Sequence, residues 1–123
     1  MTERVQRAAP AVLGVVAAGL VPWMWRLSRV LPATTTAYNW PMAWIGLDVL
    51  MASGCAATAL LSMRQDPRAR LTASATAAVC VLDAWFDITT SGNGVALIES
   101  LLTAVGELSL ASYCLVFIRP SHR

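Results

Sequence analysis

The chain has 123 residues, of which 57% are hydrophobic and 13% are charged, and its mean hydropathy is +0.60. A chain of this length forms at most one domain, and this composition is too apolar for a soluble domain of that size. The net charge of +2 is too small to indicate a nucleic-acid partner. We therefore expect a single transmembrane domain over residues 1–123, surrounded by the lipid bilayer.

Histidine and closely spaced cysteines, the usual ligands of zinc and other transition metals, are scarce in this chain. All nine basic residues are Arg, and the only His, His122, is second from the C-terminus, which argues against an imidazole base or a His-rich zinc site. Cys55, Cys80 and Cys114 lie far apart without a Cys-x-x-Cys pair, so we expect them to be small apolar fillers in helices. The sequence predicts no cofactor and no metal site.

The first predicted span covers residues 9–30 and follows a short polar arm. A cleaved signal peptide is the alternative interpretation of this segment. The apolar run is long for a signal peptide, however, it contains Pro22 and Trp23 before Arg26, and no small-residue cleavage site follows directly. We expect the span to be retained, followed by an external loop that contains Pro32 and three consecutive Thr residues.

Three further apolar segments each have about the 20 residues that a helix needs to cross a bilayer, at 41–63, 71–90 and 95–118. Polar turns separate them. One turn carries Asp66 and Pro67, and the other reads Ser91-Gly92-Asn93-Gly94. With short connections of this kind, the fold class is expected to be all-α, an integral membrane four-helix bundle with up-down-up-down topology.

The arginines orient this bundle. Arg26 and Arg29 fall on one side of the predicted membrane, and seven fall on the other: Arg4, Arg7, Arg64, Arg68, Arg70, Arg119 and Arg123. Because positive charge accumulates in cytoplasmic segments, both termini are predicted to be cytoplasmic. The localisation predicted from these features is the cell membrane, with multiple passes.

Acidic residues are unusually frequent inside the spans. Five of the seven lie there: Asp48, Asp83, Asp87, Glu99 and Glu107. A carboxylate at such depth costs several kcal/mol unless it faces protein or water, so it marks a functional site by default. At 1.5 Å per residue, Asp48, Asp87 and Glu99 lie roughly 6 to 11 Å deep, with Asp83 one turn further in and Glu107 near the midplane. Arg26 is expected to reach the same layer.

Helical periodicity predicts that these side chains converge. Asp83 and Asp87 are one turn apart, and similar polar stripes in the second and fourth spans contain Asp48 and Glu107. We expect the stripes to line a shared interior. Three further residues near these acids are predicted to contact a substrate: Trp44, Trp85 and Thr103. Trp44 is the best candidate for a pocket wall, and Trp85 lies on a different face of its helix from Asp83.

Five acids near Arg26 leave an excess of negative charge, so some carboxyls should be protonated, share a proton or hold a cation. A neutral carboxylic acid is a proton donor. Asp83 and Glu107, the deepest, are the predicted donors. The predicted ionised partner of Arg26 is Asp48, Asp87 or Glu99. In the alternative interpretation, the acids only hydrogen-bond to hold the bundle together.

The segments Trp44-Ile45-Gly46-Leu47-Asp48 and Leu82-Asp83-Ala84-Trp85-Phe86-Asp87, followed by Glu107, resemble small four-span membrane proteins common in actinobacteria, a family without an assigned activity. The resemblance covers the last three spans and implies the same topology and acidic positions. Asp83-x-x-x-Asp87 also looks like half of the magnesium-diphosphate signature of membrane prenyltransferases, but a second acidic motif is missing.

Three functional hypotheses follow. The first is a membrane-bound cyclase, isomerase or epoxide-opening enzyme that uses carboxyl groups as general acid and base on a lipophilic small molecule. The second is a proton- or cation-coupled transporter or channel subunit, in which a homo-oligomer completes the pathway. The third is an accessory membrane protein whose acids pair with arginines of a partner.

Overall fold

The computed structural model describes residues 2–117, and all regular structure within them is helical. Four helices follow one another, each long and apolar enough to cross a membrane: α1 (Thr2–Val30), α2 (Trp40–Met63), α3 (Ala69–Thr90) and α4 (Val95–Phe117). The helices coincide closely with the four predicted segments, except that α1 also includes the polar arm and α3 begins at Ala69. Ile118, at the predicted end of the fourth span, lies outside the described residues, as do three residues named above: Arg119, His122 and Arg123.

The chain forms two compact units, the first ending at Tyr38 and the second beginning at Asn39. The first unit consists of α1 and the segment that follows it. Pro10 and Pro22 both lie inside α1, as membrane helices tolerate. The guanidinium of Arg26 lies over the Trp23 ring, at 5.6 Å from the ring centroid, which is within cation–π range.

In the second unit, α3 packs against both α2 and α4. Its buried face is built from small residues, and Ala73, Ala77 and Cys80 form a core cluster with Ala111 and Cys114 of α4. Small side chains allow close contact between helix backbones, which stabilises membrane helices where the hydrophobic effect does not distinguish lipid from protein. The expectation that Cys80 and Cys114 fill apolar space is confirmed by their burial.

Two specific contacts help to fix the packing of α2 against α3. The Thr58 hydroxyl donates a hydrogen bond of 2.9 Å to Thr72 Oγ1, whose own hydroxyl donates to a backbone carbonyl of α3. One turn earlier in α2, Gly54 lies directly against Thr76, so that a Cβ at Gly54 would collide with the Thr76 hydroxyl. The absence of a side chain at Gly54 therefore sets the distance between α2 and α3 at this point.

The connection between α2 and α3 is a tight turn with its own hydrogen bonds. Gln65 is in the left-handed region (φ 54°), and its N–H donates to Ser62 O while the Asp66 N–H donates to Leu61 O. This pair of bonds is the Schellman arrangement that caps helix C-termini. Asp66 then accepts a hydrogen bond from the Arg68 N–H and forms a 2.7 Å ion pair with its guanidinium.

The connection between α3 and α4 depends on two glycines. Gly92 and Gly94 both have positive φ angles, of 74° and 80°, which an L-residue with a side chain rarely adopts. The turn predicted at Ser91-Gly92-Asn93-Gly94 is thus confirmed by the backbone, and the Ile98 N–H donates to Gly94 O at the start of α4.

We expect Gly54→Ala to destabilise the second unit by about 1 to 3 kcal/mol, because the new methyl group overpacks the contact with Thr76. Gly46→Ala is the matched control, since nothing lies within 4 Å of its Cβ position. Adding Thr76→Ala to Gly54→Ala should restore part of the loss. Unfolding in detergent, followed by circular dichroism, measures all three variants, and equal effects of Gly46→Ala and Gly54→Ala would contradict this packing.

The side-chain hydrogen bond from Arg68 lowers the pKa of Asp66 from its ordinary 3.8 to about 2. We expect Arg68→Ala to raise this pKa toward 3.8, as measured by NMR titration of the carboxyl carbon in micelles. Because the folded-state pKa is depressed, the ion pair stabilises the turn above the unfolded-state pKa, and this contribution is lost as the pH falls through about 2. An unchanged titration in Arg68→Ala would show that the ion pair does not form.

Candidate functional site: a carboxyl cluster between α3 and α4

The site is centred on the buried Asp83 in the second half of α3. Only 3% of Asp83 is exposed, and Cys80 and Ala84 beside it are equally buried. Asp87, one turn later, is half-buried on the same face. The small residues of this face allow α4 to approach closely, so the α3 carboxyls are covered by protein.

Glu107 of α4 completes the cluster. Asp83, Asp87 and Glu107 each contribute one carboxylate oxygen, and the three oxygens lie within 4.8 Å of one another. Glu107 is itself half-buried. The sequence predicted that Glu107 converges with Asp83 and Asp87, and the structure places these three carboxyls together.

Two oxygens in this cluster, Asp83 Oδ1 and Glu107 Oε2, are buried and have no hydrogen-bond partner within residues 2–117. One carboxylate oxygen of Asp83 and one of Glu107 nevertheless lie within 4.8 Å of each other. Because ionised carboxylates only accept, a hydrogen bond between the two groups needs a proton on one of them. The arrangement therefore suits a carboxyl pair that shares one proton.

No basic side chain of α2, α3 or α4 is in position to neutralise the cluster. Before residue 118, the second unit has three arginines, which lie at the turn between α2 and α3: Arg64, Arg68 and Arg70. Asp83 is 13 residues beyond Arg70, or about 20 Å along the helix. Among residues 39–117, neutralisation of the cluster therefore requires protons or a bound cation.

The other two predicted acids are placed differently. Asp48 is exposed on α2, yet it is near enough to Asp87 and Glu107 to interact with them electrostatically. Glu99 is exposed near the start of α4, two turns before Glu107, and is not among the three clustered carboxyls. Of the five predicted acids, the structure thus brings three together and places Asp48 at their edge.

The remaining predicted site residues lie outside the cluster. Trp44 is half-buried and packs edge to face on Trp40, with ring centroids 5.6 Å apart. Trp85 is 66% exposed, as expected for a residue on a different face from Asp83. Thr103 is exposed and donates a hydrogen bond to Glu99 O. Arg26 belongs to the first unit, and its pairing with the acids stays a prediction.

The clustered carboxyls also have the chemistry of a cation site. Hard cations such as Ca²⁺ and Mg²⁺ prefer oxygen ligands, and Ca²⁺ takes them at about 2.3 to 2.6 Å, so two ligands on opposite sides of the ion are roughly 5 Å apart. The separation of up to 4.8 Å between the three oxygens is compatible with this requirement. Asp83, Asp87 and Glu107 are therefore the residues that could hold a metal ion, in addition to a proton.

A cavity that the sequence analysis missed lies between α2 and α4, with a volume of about 320 Å³. We call it the α2–α4 cavity. Its lining includes Cys55, Thr58, Ala59 and Ser62 of α2, together with Leu110 and Cys114 of α4. In the sequence, only the small residues of α2 at positions 55–59 indicate such a cavity. The packing of the helices is needed to show that they leave space.

In comparisons with protein-family models, curated proteins and solved structures, no match to this chain was found. The resemblance to the four-span proteins of actinobacteria therefore stays a prediction.

Asp83→Asn should raise the stability of the protein by about 1 kcal/mol at pH 7, because it replaces a buried carboxyl by a neutral amide and so removes repulsion from Asp87 and Glu107. Glu99→Gln, which changes an exposed carboxyl, should alter stability by less than about 0.5 kcal/mol. Chemical unfolding in detergent provides the comparison. A loss of stability in Asp83→Asn would instead support the alternative that the acids hold the helices together.

Proposed function

We propose that this chain is a multi-pass protein of the cell membrane, with four helices in up-down-up-down order and both termini in the cytoplasm. The short turns at residues 64–68 and 91–94 support the alternating order. The arginines support the orientation, since most of them lie in the segments that this topology places in the cytoplasm. The carboxyl cluster then lies in the outer half of the membrane.

Within this topology, we propose that the protein is an enzyme that acts by general acid and base catalysis on a lipophilic small molecule. The observation that carries this proposal is the proximity of Asp83 and Glu107, which lie within 4.8 Å of each other by one carboxylate oxygen each and which each have a buried oxygen without a hydrogen-bond partner in the described residues. A neutral carboxylic acid beside an ionised carboxylate supplies an acid and a base in one water-poor place. Cyclisation, isomerisation and epoxide opening are the reaction classes that need this combination.

The proton balance of an isomerisation shows how the pair would work. The protonated carboxyl transfers its proton to an alkene carbon or a carbonyl oxygen of the substrate, and the partner carboxylate accepts a proton from a neighbouring carbon. The pair ends with its proton on the other carboxyl. The hydrogen bond between Asp83 and Glu107 then returns the proton and restores the starting state. Asp87 and Asp48, next to the pair, would stabilise positive charge that develops on the substrate.

The second candidate is a proton- or cation-coupled transporter or channel subunit, assembled as a homo-oligomer. The specific observation in its favour is that three carboxylate oxygens lie within 4.8 Å of one another, an arrangement that suits a cation. Intramembrane carboxyls without basic partners are also typical of proton relays. An accessory protein that pairs with a partner's arginines is the third candidate.

Native mass spectrometry of the protein, purified in detergent from its native membranes, separates these candidates. The enzyme proposal predicts a small lipophilic molecule that stays bound to wild type and is lost or chemically altered in Asp83→Asn. Glu99→Gln should retain it unchanged, because Glu99 lies outside the carboxyl pair. An oligomer without a bound small molecule, and unaffected by Asp83→Asn, would contradict the enzyme proposal. Proton-flux assays in liposomes would then test the transporter.

A further inference from the structure

The α2–α4 cavity lies next to the carboxyl cluster along the same groove. On α4, Glu107, Leu110 and Cys114 follow one another at steps of three and four residues, so they share one face of the helix. Glu107 is therefore about 4.5 Å along the axis from Leu110, which lines the cavity. The cavity and the carboxyls are neighbours on one helix face.

The buried Cys80 of α3 is near both. It is close enough to interact electrostatically with Asp83 and Glu107 of the carboxyl cluster and with Cys55 and Cys114, which line the cavity. Cys80 has no exposed surface and belongs to the apolar core cluster. The cavity and the carboxyl cluster therefore share a common neighbour on α3.

The lining determines which molecules suit the cavity. No charged residue is among the described residues that line it, so an ion or a charged headgroup would lose its hydration without compensation. Hydroxyl groups are present, however, on Thr58, Ser62 and Tyr113. Thr58 donates its proton to Thr72 and keeps its oxygen lone pairs as acceptors. The lining suits an uncharged hydrocarbon with one oxygen function.

The volume limits the size of this molecule. At about 30 Å³ per non-hydrogen atom, the share that a water molecule takes in the liquid, a cavity of about 320 Å³ holds about ten such atoms. This volume is at the lower end of the range for small-molecule sites. A phospholipid is too large to enter as a whole, although one of its acyl chains would fit.

We propose that the α2–α4 cavity binds the substrate of the carboxyl pair, and that this substrate is an uncharged hydrocarbon of about ten non-hydrogen atoms that carries one hydroxyl, carbonyl or epoxide oxygen. That the ligand is a substrate rests on the proposed enzyme function. The hydrocarbon occupies the cavity and its reactive end is directed toward Glu107. The substrate enters from the bilayer, as its solubility requires.

Photolabelling of the full chain in phosphatidylcholine nanodiscs tests the site, with a diazirine derivative of 1-decanol as the probe. We expect labelled residues to concentrate at positions 55–62 of α2 and 110–114 of α4, and the labelling to be competed by excess 1-decanol. Labels spread evenly over the lipid-facing surfaces of all helices would overturn the proposal. Labelling that 1-decanol does not compete, but that added phospholipid does, would also overturn it, because the occupant would be an acyl chain.

Two neighbouring tryptophan substitutions make the test specific. Ala59→Trp fills the cavity and should reduce labelling by about fivefold or more, a loss of about 1 kcal/mol in binding free energy. Leu60→Trp is the matched control, since Leu60 is 56% exposed and is not part of the lining. It should label as wild type does. Equal labelling of the two variants would contradict a site in this cavity.

Asp83→Asn distinguishes failure of the site from failure of the proposed function. Asp83 does not line the cavity, so labelling should be unchanged in this variant. Cavity labelling with no effect of Asp83→Asn on the molecule seen by native mass spectrometry would support the binding site and overturn the catalytic role. Absence of competed labelling would overturn the binding site, whatever Asp83→Asn does to the bound molecule.

Discussion

A carboxyl group in a membrane-spanning helix must be shielded from lipid, and the second unit is built to shield Asp83. Shielding requires neighbouring helices to come close, which is possible because the buried face of α3 consists largely of Ala, Thr and Cys. With larger side chains on this face, α4 could not bring Glu107 to Asp83. The carboxyl cluster therefore depends on the small residues that let α3 and α4 pack closely.

The two ends of α3 show how the surroundings decide the behaviour of the same side chain. Asp66, in the polar turn before α3, has Arg68 beside it, and its pKa is lowered to about 2. Asp83, about 17 residues further on, is buried among small side chains with other carboxyls as its polar neighbours. The first arrangement stabilises a turn. The second leaves a buried oxygen unpaired, a cost that proteins generally accept at functional sites.

The enzyme proposal and the transporter proposal both depend on the same group of carboxyls. Carboxyl groups are concentrated at Asp83, Asp87 and Glu107, and the described arginines of this unit, at positions 64, 68 and 70, are near the other end of α3. A mobile proton or a bound cation satisfies this charge equally well. The α2–α4 cavity favours the enzyme, because a cavity lined without charged residues suits a lipophilic molecule and offers no hydrated path for an ion.

The sequence by itself determined the four helices, their approximate ends, and the shared face of Asp83 and Asp87, because hydrophobic length and helical period are local properties. It placed Glu107 and Glu99 in the same predicted site and could not determine that only Glu107 joins the pair, nor that α2 and α4 leave a cavity. Both depend on how far the helices slide and rotate against each other. That register is decided by contacts such as Gly54 with Thr76, which bring together residues far apart in the chain and exist only once the helices pack.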